Sequence, residues 1–122
     1  MTAKRASGDA FEIAAEAHAR AHGLSVLDRN MRCRHGEIDL ILRDRDVLVF
    51  AEVRYRDTAR FGGAVASVDP RKQAKLIATA QFYLQSHPTL ARLPCRFDVY
   101  AISGDVAKPA IEWIRDAFRV NA

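Results

Sequence analysis

Two short runs carry the residues best suited to chemistry: Glu37-Ile38-Asp39-Leu40-Ile41 and, thirteen positions on from Asp39, Glu52-Val53-Arg54. Both acids lie in otherwise apolar stretches that read as strands, Ile38 to Leu42 and Val47 to Val53. A charge inside a buried strand is costly unless it is paired or holds a metal. Two strands that each carry a carboxylate, with a guanidinium two residues after the second, suit a site where acids hold a cation and a base handles an anion. Metal-assisted attack on a phosphodiester is chemistry of that kind. The plainer alternative is a set of surface ion pairs such as Asp39 with Arg54, which are common and contribute little.

Side chains two apart on a strand share a face. Glu37 and Asp39 therefore point one way, and Glu52, Arg54 and Arg56 follow Leu48 and Phe50 on one face of the next strand. A hairpin through Asp44-Arg45-Asp46 pairs residues whose numbers sum to about 90, so 39 faces 51 and neighbours 52. Gln73 stands on the inward stripe of a following helix, where an apolar side chain is expected. Arg71, Lys72 and Lys75 crowd that helix's start, which is unfavourable with the dipole unless an anion sits nearby. Glu12 is either a solvated helix acid or a third carboxylate facing the sheet.

The elements that position these groups follow from pattern. Residues 1–7 are polar and expected to be loose. Gly8 to His22 is alanine-rich and helical, with Gly23 as its stop. Leu24 to Asn30, Glu37 to Arg43 and Val47 to Tyr55 read as strands, the last apolar on both faces at its start and so central. Arg56 to Val68, with Gly62-Gly63, reads as a flexible loop. Asp69-Pro70 opens a helix over 70–86 with a stripe of Ile77, Ala80 and Leu84 flanked by Leu76 and Tyr83, and His87-Pro88 ends it. Cys95 to Ile102 and Ile111 to Ile114 are two further strands. The order α-β-β-β-α-β-β predicts a single α/β domain over 1–122, a mixed β-sheet flanked by α-helices.

With 122 residues, 49% hydrophobic and 28% charged, the chain is long enough for one core and is not of disordered composition. Its net charge is +4, and arginines outnumber lysines 15 to 4, with eight arginines between positions 29 and 60. Arginine forks suit phosphate, which tilts the balance toward nucleic acid over a merely solvated basic surface or the Arg bias of a GC-rich genome. Cys33 and Cys95 are read as free thiols in a reduced compartment, and Cys33 with His35 lacks the partners for a zinc site. The absence of a membrane-length apolar run or a signal-peptide core makes a soluble, cytoplasmic protein the expectation.

The runs Gly8-x-x-Phe11-Glu12-x-x-Ala15, Gly36-Glu37-Ile38-Asp39-Leu40-Ile41, Val49 to Arg56, Gly62-Gly63, Lys72-Gln73 and Arg96-Phe97-Asp98-Val99 resemble the uncharacterised bacterial YraN-like family, over about Gly8 to Phe118. That family looks like a restriction-endonuclease-like domain of the PD-(D/E)xK superfamily, similar to Holliday junction resolvases. The resemblance implies a metal-dependent nuclease acting on DNA, branched or repair-intermediate DNA included, with Mg²⁺ or Mn²⁺ as cofactor. Asp39 and Glu52 match its metal-binding acids, Arg54 its lysine position, Glu12 a helix glutamate and Gln73 a helix glutamine. Arg56, Arg60, Lys72 and Lys75 would follow the nucleic-acid backbone. Two departures stand out: Ile38 replaces the motif's proline, and Arg54 cannot act as a base as a lysine can. A nucleic-acid-binding module with reduced cleavage, and a protein-interaction factor whose acids only form ion pairs, are therefore the competing readings. Related folds often pair because two phosphodiesters must be cut, so a homodimer is compatible, although no segment identifies an interface.

Overall fold

A computed structural model describes residues 3–55, 68–105 and 107–119, with side chains from residue 10 onward. The elements are α1 (Ala3–Ala21), β1 (Ser25–Cys33), β2 (Gly36–Asp44), β3 (Val47–Tyr55), α2 (Pro70–Ser86), a 3₁₀ turn (Leu90–Arg92), β4 (Cys95–Asp105) and β5 (Lys108–Phe118). This is the expected order, in one mixed five-stranded sheet β1-β2-β3-β4-β5. Neighbours are antiparallel except β3 and β4, which run parallel. Parallel neighbours need a long crossover, and α2 lies within it.

The two helices cover opposite faces. Phe11, Ala15 and Ala19 of α1 pack with Leu40, Leu42, Val49, Ala51, Tyr100 and Ile102. Leu76, Ala80 and Tyr83 of α2 pack with Ile38, Ile41, Leu48, Phe50 and Val99. Full burial of each large apolar side chain contributes about 1.5–3 kcal/mol. Covered on both sides, β3 is buried from Leu48 to Glu52, as its continuous apolar start predicts.

Three boundaries differ from expectation. Helix α1 includes residues 3–7, expected to be loose, because Ala3-Lys4-Arg5-Ala6 are strong helix formers and extend the helix beyond Gly8. Strand β5 runs well past 111–114 at both ends, since cross-strand pairing with β4 holds residues of weak intrinsic preference. The buried stripe of α2 centres on Leu76, Thr79, Ala80 and Tyr83, with Ile77 and Leu84 at its margin. The polar Thr79 is tolerated because its Oγ1 donates to the Lys75 carbonyl at 2.8 Å. The start of α2 is as predicted: Asp69 Oδ1 accepts from the Lys72 N–H at 2.8 Å, with Pro70 at the first helical position. Positions 56–67 of the expected loop lie outside the described residues, and with them Arg56, Arg60 and Gly62-Gly63.

Gly36 sets how closely α2 approaches the β1–β2 hairpin. Its φ is +149°, and an added Cβ would stand 3.3 Å from Thr79 Oγ1. Gly36→Ala is therefore expected to cost about 1–3 kcal/mol. A urea midpoint equal to that of the wild type would show that the contact is not tight.

Candidate metal and phosphate site

The β2–β3 ladder runs from Asp44↔Val47 to Leu40↔Ala51, one position along from the expected pairing of 39 with 51. Beyond Leu40 the Asp39 side chain takes over, its Oδ2 accepting the Val53 N–H at 2.8 Å. Ile38 joins Ile41 and Phe50 under α2, although a strict period of two would send it with Leu40 to the other face. The strands therefore part where the two acids stand. The N–H and C=O of one residue project to the same neighbour strand, so the Val53 carbonyl faces the same gap as its N–H.

Glu52 follows Leu48 and Phe50 on the α2 face and is only 5% exposed. Its Oε2 lies 3.2 Å from Arg54 Nη2, an ion pair by distance without hydrogen-bond geometry. Among the described residues, Glu52 Oε1 is buried with no hydrogen-bond partner, and so are Arg54 Nε and Nη2. Burial, and then the neighbouring Asp39 carboxylate, push the Glu52 carboxyl up to about 8 against the opposing pull of Arg54 and Lys72. Asp39 is also raised, chiefly by burial, with the Val53 N–H, Arg54 and Lys72 pulling it down. Two acids that resist ionising together are what a cation between them would relieve.

They form the floor of a cavity of about 620 Å³, together with Val53 and Arg54; Arg71, Lys72 and Lys75 of α2 overhang it, and Gly36 and Glu37 close the β2 side. Glu37 is exposed at this rim and paired with Arg32 Nε at 2.9 Å. Among the described residues no group of three or more His, Cys, Asp or Glu side chains could hold a metal. The donor set nevertheless fits Mg²⁺ or Mn²⁺. Hard cations of this size are commonly held by one or two carboxylates, with waters and substrate phosphate completing the shell. The orphaned Glu52 Oε1 supplies an open oxygen.

Of the residues predicted from sequence, the structure gathers Asp39, Glu52, Arg54, Lys72 and Lys75 around one cavity. Gln73 does not line it: its Nε2 donates to the Val68 carbonyl at 2.9 Å and ties down the approach to α2. Glu12 is on α1, whose Phe11 and Ala15 pack the opposite face of the sheet, and it does not line the cavity either. Sequence reasoning did not single out Lys72 from the other basic residues of α2. It also assigned no role to Asp98, although Arg96 and Asp98 two apart on one strand signalled a same-face ion pair. Asp98, 1% exposed, accepts from Arg96 Nε at 3.0 Å, Trp113 Nε1 at 2.9 Å and the Asp116 N–H at 2.9 Å. It pairs with Ala51 across β3–β4, next to Glu52.

The profile of the uncharacterised protein family UPF0102 matches residues 11–102. A UPF0102 protein of Xanthomonas campestris pv. campestris (strain B100) is 52% identical over 119 residues, covering 98% of this chain and 96% of the relative. A UPF0102 protein of Nitrosococcus oceani is 50% identical over 118 residues, with 97% and 95% covered. One of Stutzerimonas stutzeri (strain A1501) is 48% identical over 118 residues, with 97% and 98% covered.

Proposed function

The chain belongs to the uncharacterised protein family UPF0102, and from its acidic cavity we propose that it is a metal-dependent nuclease acting on DNA phosphodiesters. Its relation to restriction-endonuclease-like folds and to Holliday junction resolvases, with branched DNA as a substrate, is part of the same proposal. The observation that carries it is the buried Glu52 Oε1, without a donor and beside a second, half-buried carboxylate, Asp39. Such a pair costs stability that Arg54, 3.2 Å from Glu52 Oε2, offsets only in part, since Oε1 stays without a partner.

Asp39, Glu52 and the Val53 carbonyl would hold Mg²⁺ or Mn²⁺, which when bound lowers the pKa of water and polarises a phosphoryl oxygen. Arg54 lines this space with Nε and Nη2 buried and unbonded, and its guanidinium is suited to a non-bridging phosphate oxygen. Water attacks phosphorus as the bond to the leaving sugar oxygen breaks; the water gives up a proton and the leaving oxygen takes one. Lys75 and Arg71, exposed above the cavity, suit contacts to flanking phosphates.

Wild-type protein incubated with labelled duplex, forked and four-way DNA should cleave in Mn²⁺, stop on chelation with EDTA and resume when Mn²⁺ is restored. DNA affinity should fall steeply as salt rises. Arg54 in the lysine position favours one other reading, a DNA-binding module without cleavage. Salt-sensitive binding with no product from any of these substrates would establish that reading and sink the nuclease.

A further inference from the structure

We propose that Lys72 is a catalytic cation of this centre, contacting the reacting phosphoryl group from the helix side of the cavity; the inference rests on the nuclease reading. Lys72 is half-buried on the cavity wall, whereas Arg71 and Lys75 beside it are exposed. It lines the same cavity as Asp39, Glu52 and Arg54, so all four groups share one space. Its backbone is fixed: the Lys72 N–H is bound by the Asp69 cap at 2.8 Å, and α2 is pressed onto the hairpin at Gly36.

Charge balance gives the role. With both acids ionised, as a bound divalent cation would hold them, the charges of Asp39 and Glu52 are offset by Arg54 and Lys72 of the same cavity. A divalent cation between the acids leaves two positive charges in surplus, and the compensating charge must come from substrate. A phosphodiester carries one negative charge and gains a second as its five-coordinate transition state forms. A doubly positive site therefore binds the transition state better than the ground state. With Arg54 alone the surplus would match only the ground state. Lys72 thus bears on the rate of the bound complex more than on affinity, unlike a contact to a flanking phosphate.

The test is single-turnover cleavage in Mn²⁺ with protein in excess, alongside DNA affinity by fluorescence anisotropy in EDTA and thermal melting. Lys72→Gln should slow the saturated rate at least ~100-fold, weaken binding less than ~10-fold and leave the melting temperature unchanged. Lys72→Arg keeps the charge and should recover part of the rate. A Lys72→Gln rate that returns to wild type at saturating protein would overturn the proposal and make Lys72 a backbone contact. A Lys72→Arg rate as slow as that of Lys72→Gln, with the fold intact, would overturn the charge account. Cleavage by the wild type is read in the same assay: its absence removes the nuclease reading and this inference together, whereas rapid cleavage by Lys72→Gln removes this inference alone.

Discussion

Glu52→Gln will abolish metal-dependent cleavage while making the metal-free protein more stable at and above neutral pH. The two effects share one cause. Glu52 is buried beside Asp39, with one oxygen unpaired and its carboxyl pushed up to about 8. A carboxyl raised in the folded state binds its proton more tightly there than in the unfolded chain. Stability is then full below the unfolded value of 4.5, falls as pH rises toward about 8, and levels off above it. The cost at pH 8–9 is on the order of 2–4 kcal/mol. Glutamine removes that cost, so thermal melting across pH 5 to 9 should show a falling wild-type curve and a flatter, higher variant curve. Glutamine is also a poor ligand for a hard cation, so Mn²⁺ should stabilise only the wild type, and cleavage should drop at least ~10³-fold. Asp39→Asn can still accept the Val53 N–H through its amide oxygen and should lose cleavage as fully. Equal melting temperatures at pH 9 would refute the buried-charge account, and a variant that cleaves within tenfold of wild type would refute the metal-ligand assignment.

Asp98→Ala will strongly destabilise the fold although Asp98 does not itself line the cavity. Asp98 is buried among Arg96, the Trp113 indole N–H and the Asp116 N–H, and Arg96 is held in turn by Asp44 at 3.0 Å. Truncation leaves a half-buried guanidinium and two donors without their shared acceptor. Breaking a buried pair of this kind costs about 3–5 kcal/mol, which for a domain of this size lowers the melting temperature by roughly 10–20 °C. Asp98→Asn keeps the volume but turns an amide toward donors, so it should recover only part of the loss. A shift below about 1 kcal/mol in urea unfolding would mean that the network behaves as a surface pair. Because β4 pairs with β3 through Glu52↔Val99 and Arg54↔Ala101, the loss should reach the acidic site through its scaffold.

What could be read along the chain was what depends on near neighbours. Asp69 followed by Pro70 specifies a helix start through one cap and one fixed φ, and α2 begins there. Glu52 and Arg54 share a face because the strand period is two, and the structure has them 3.2 Å apart. The order of helices and strands followed from runs of apolar and turn-forming residues, and the acidic runs stood out because charge is rare inside such strands. Tertiary structure decided everything that needs two distant segments at once. Gln73 was read as standing on the inward stripe; it is half-buried and its amide is spent on the Val68 carbonyl, which no local pattern specifies. The parting of β2 from β3 after Leu40↔Ala51 turns Asp39 into a substitute ladder acceptor, and only the pairing register could decide that. Lys72 differs from Arg71 and Lys75 in being half-buried on the cavity wall, because α2 docks against Gly36 in one orientation. Local sequence sets which residues share a face; burial and register, which are long-range, determine which of them meet.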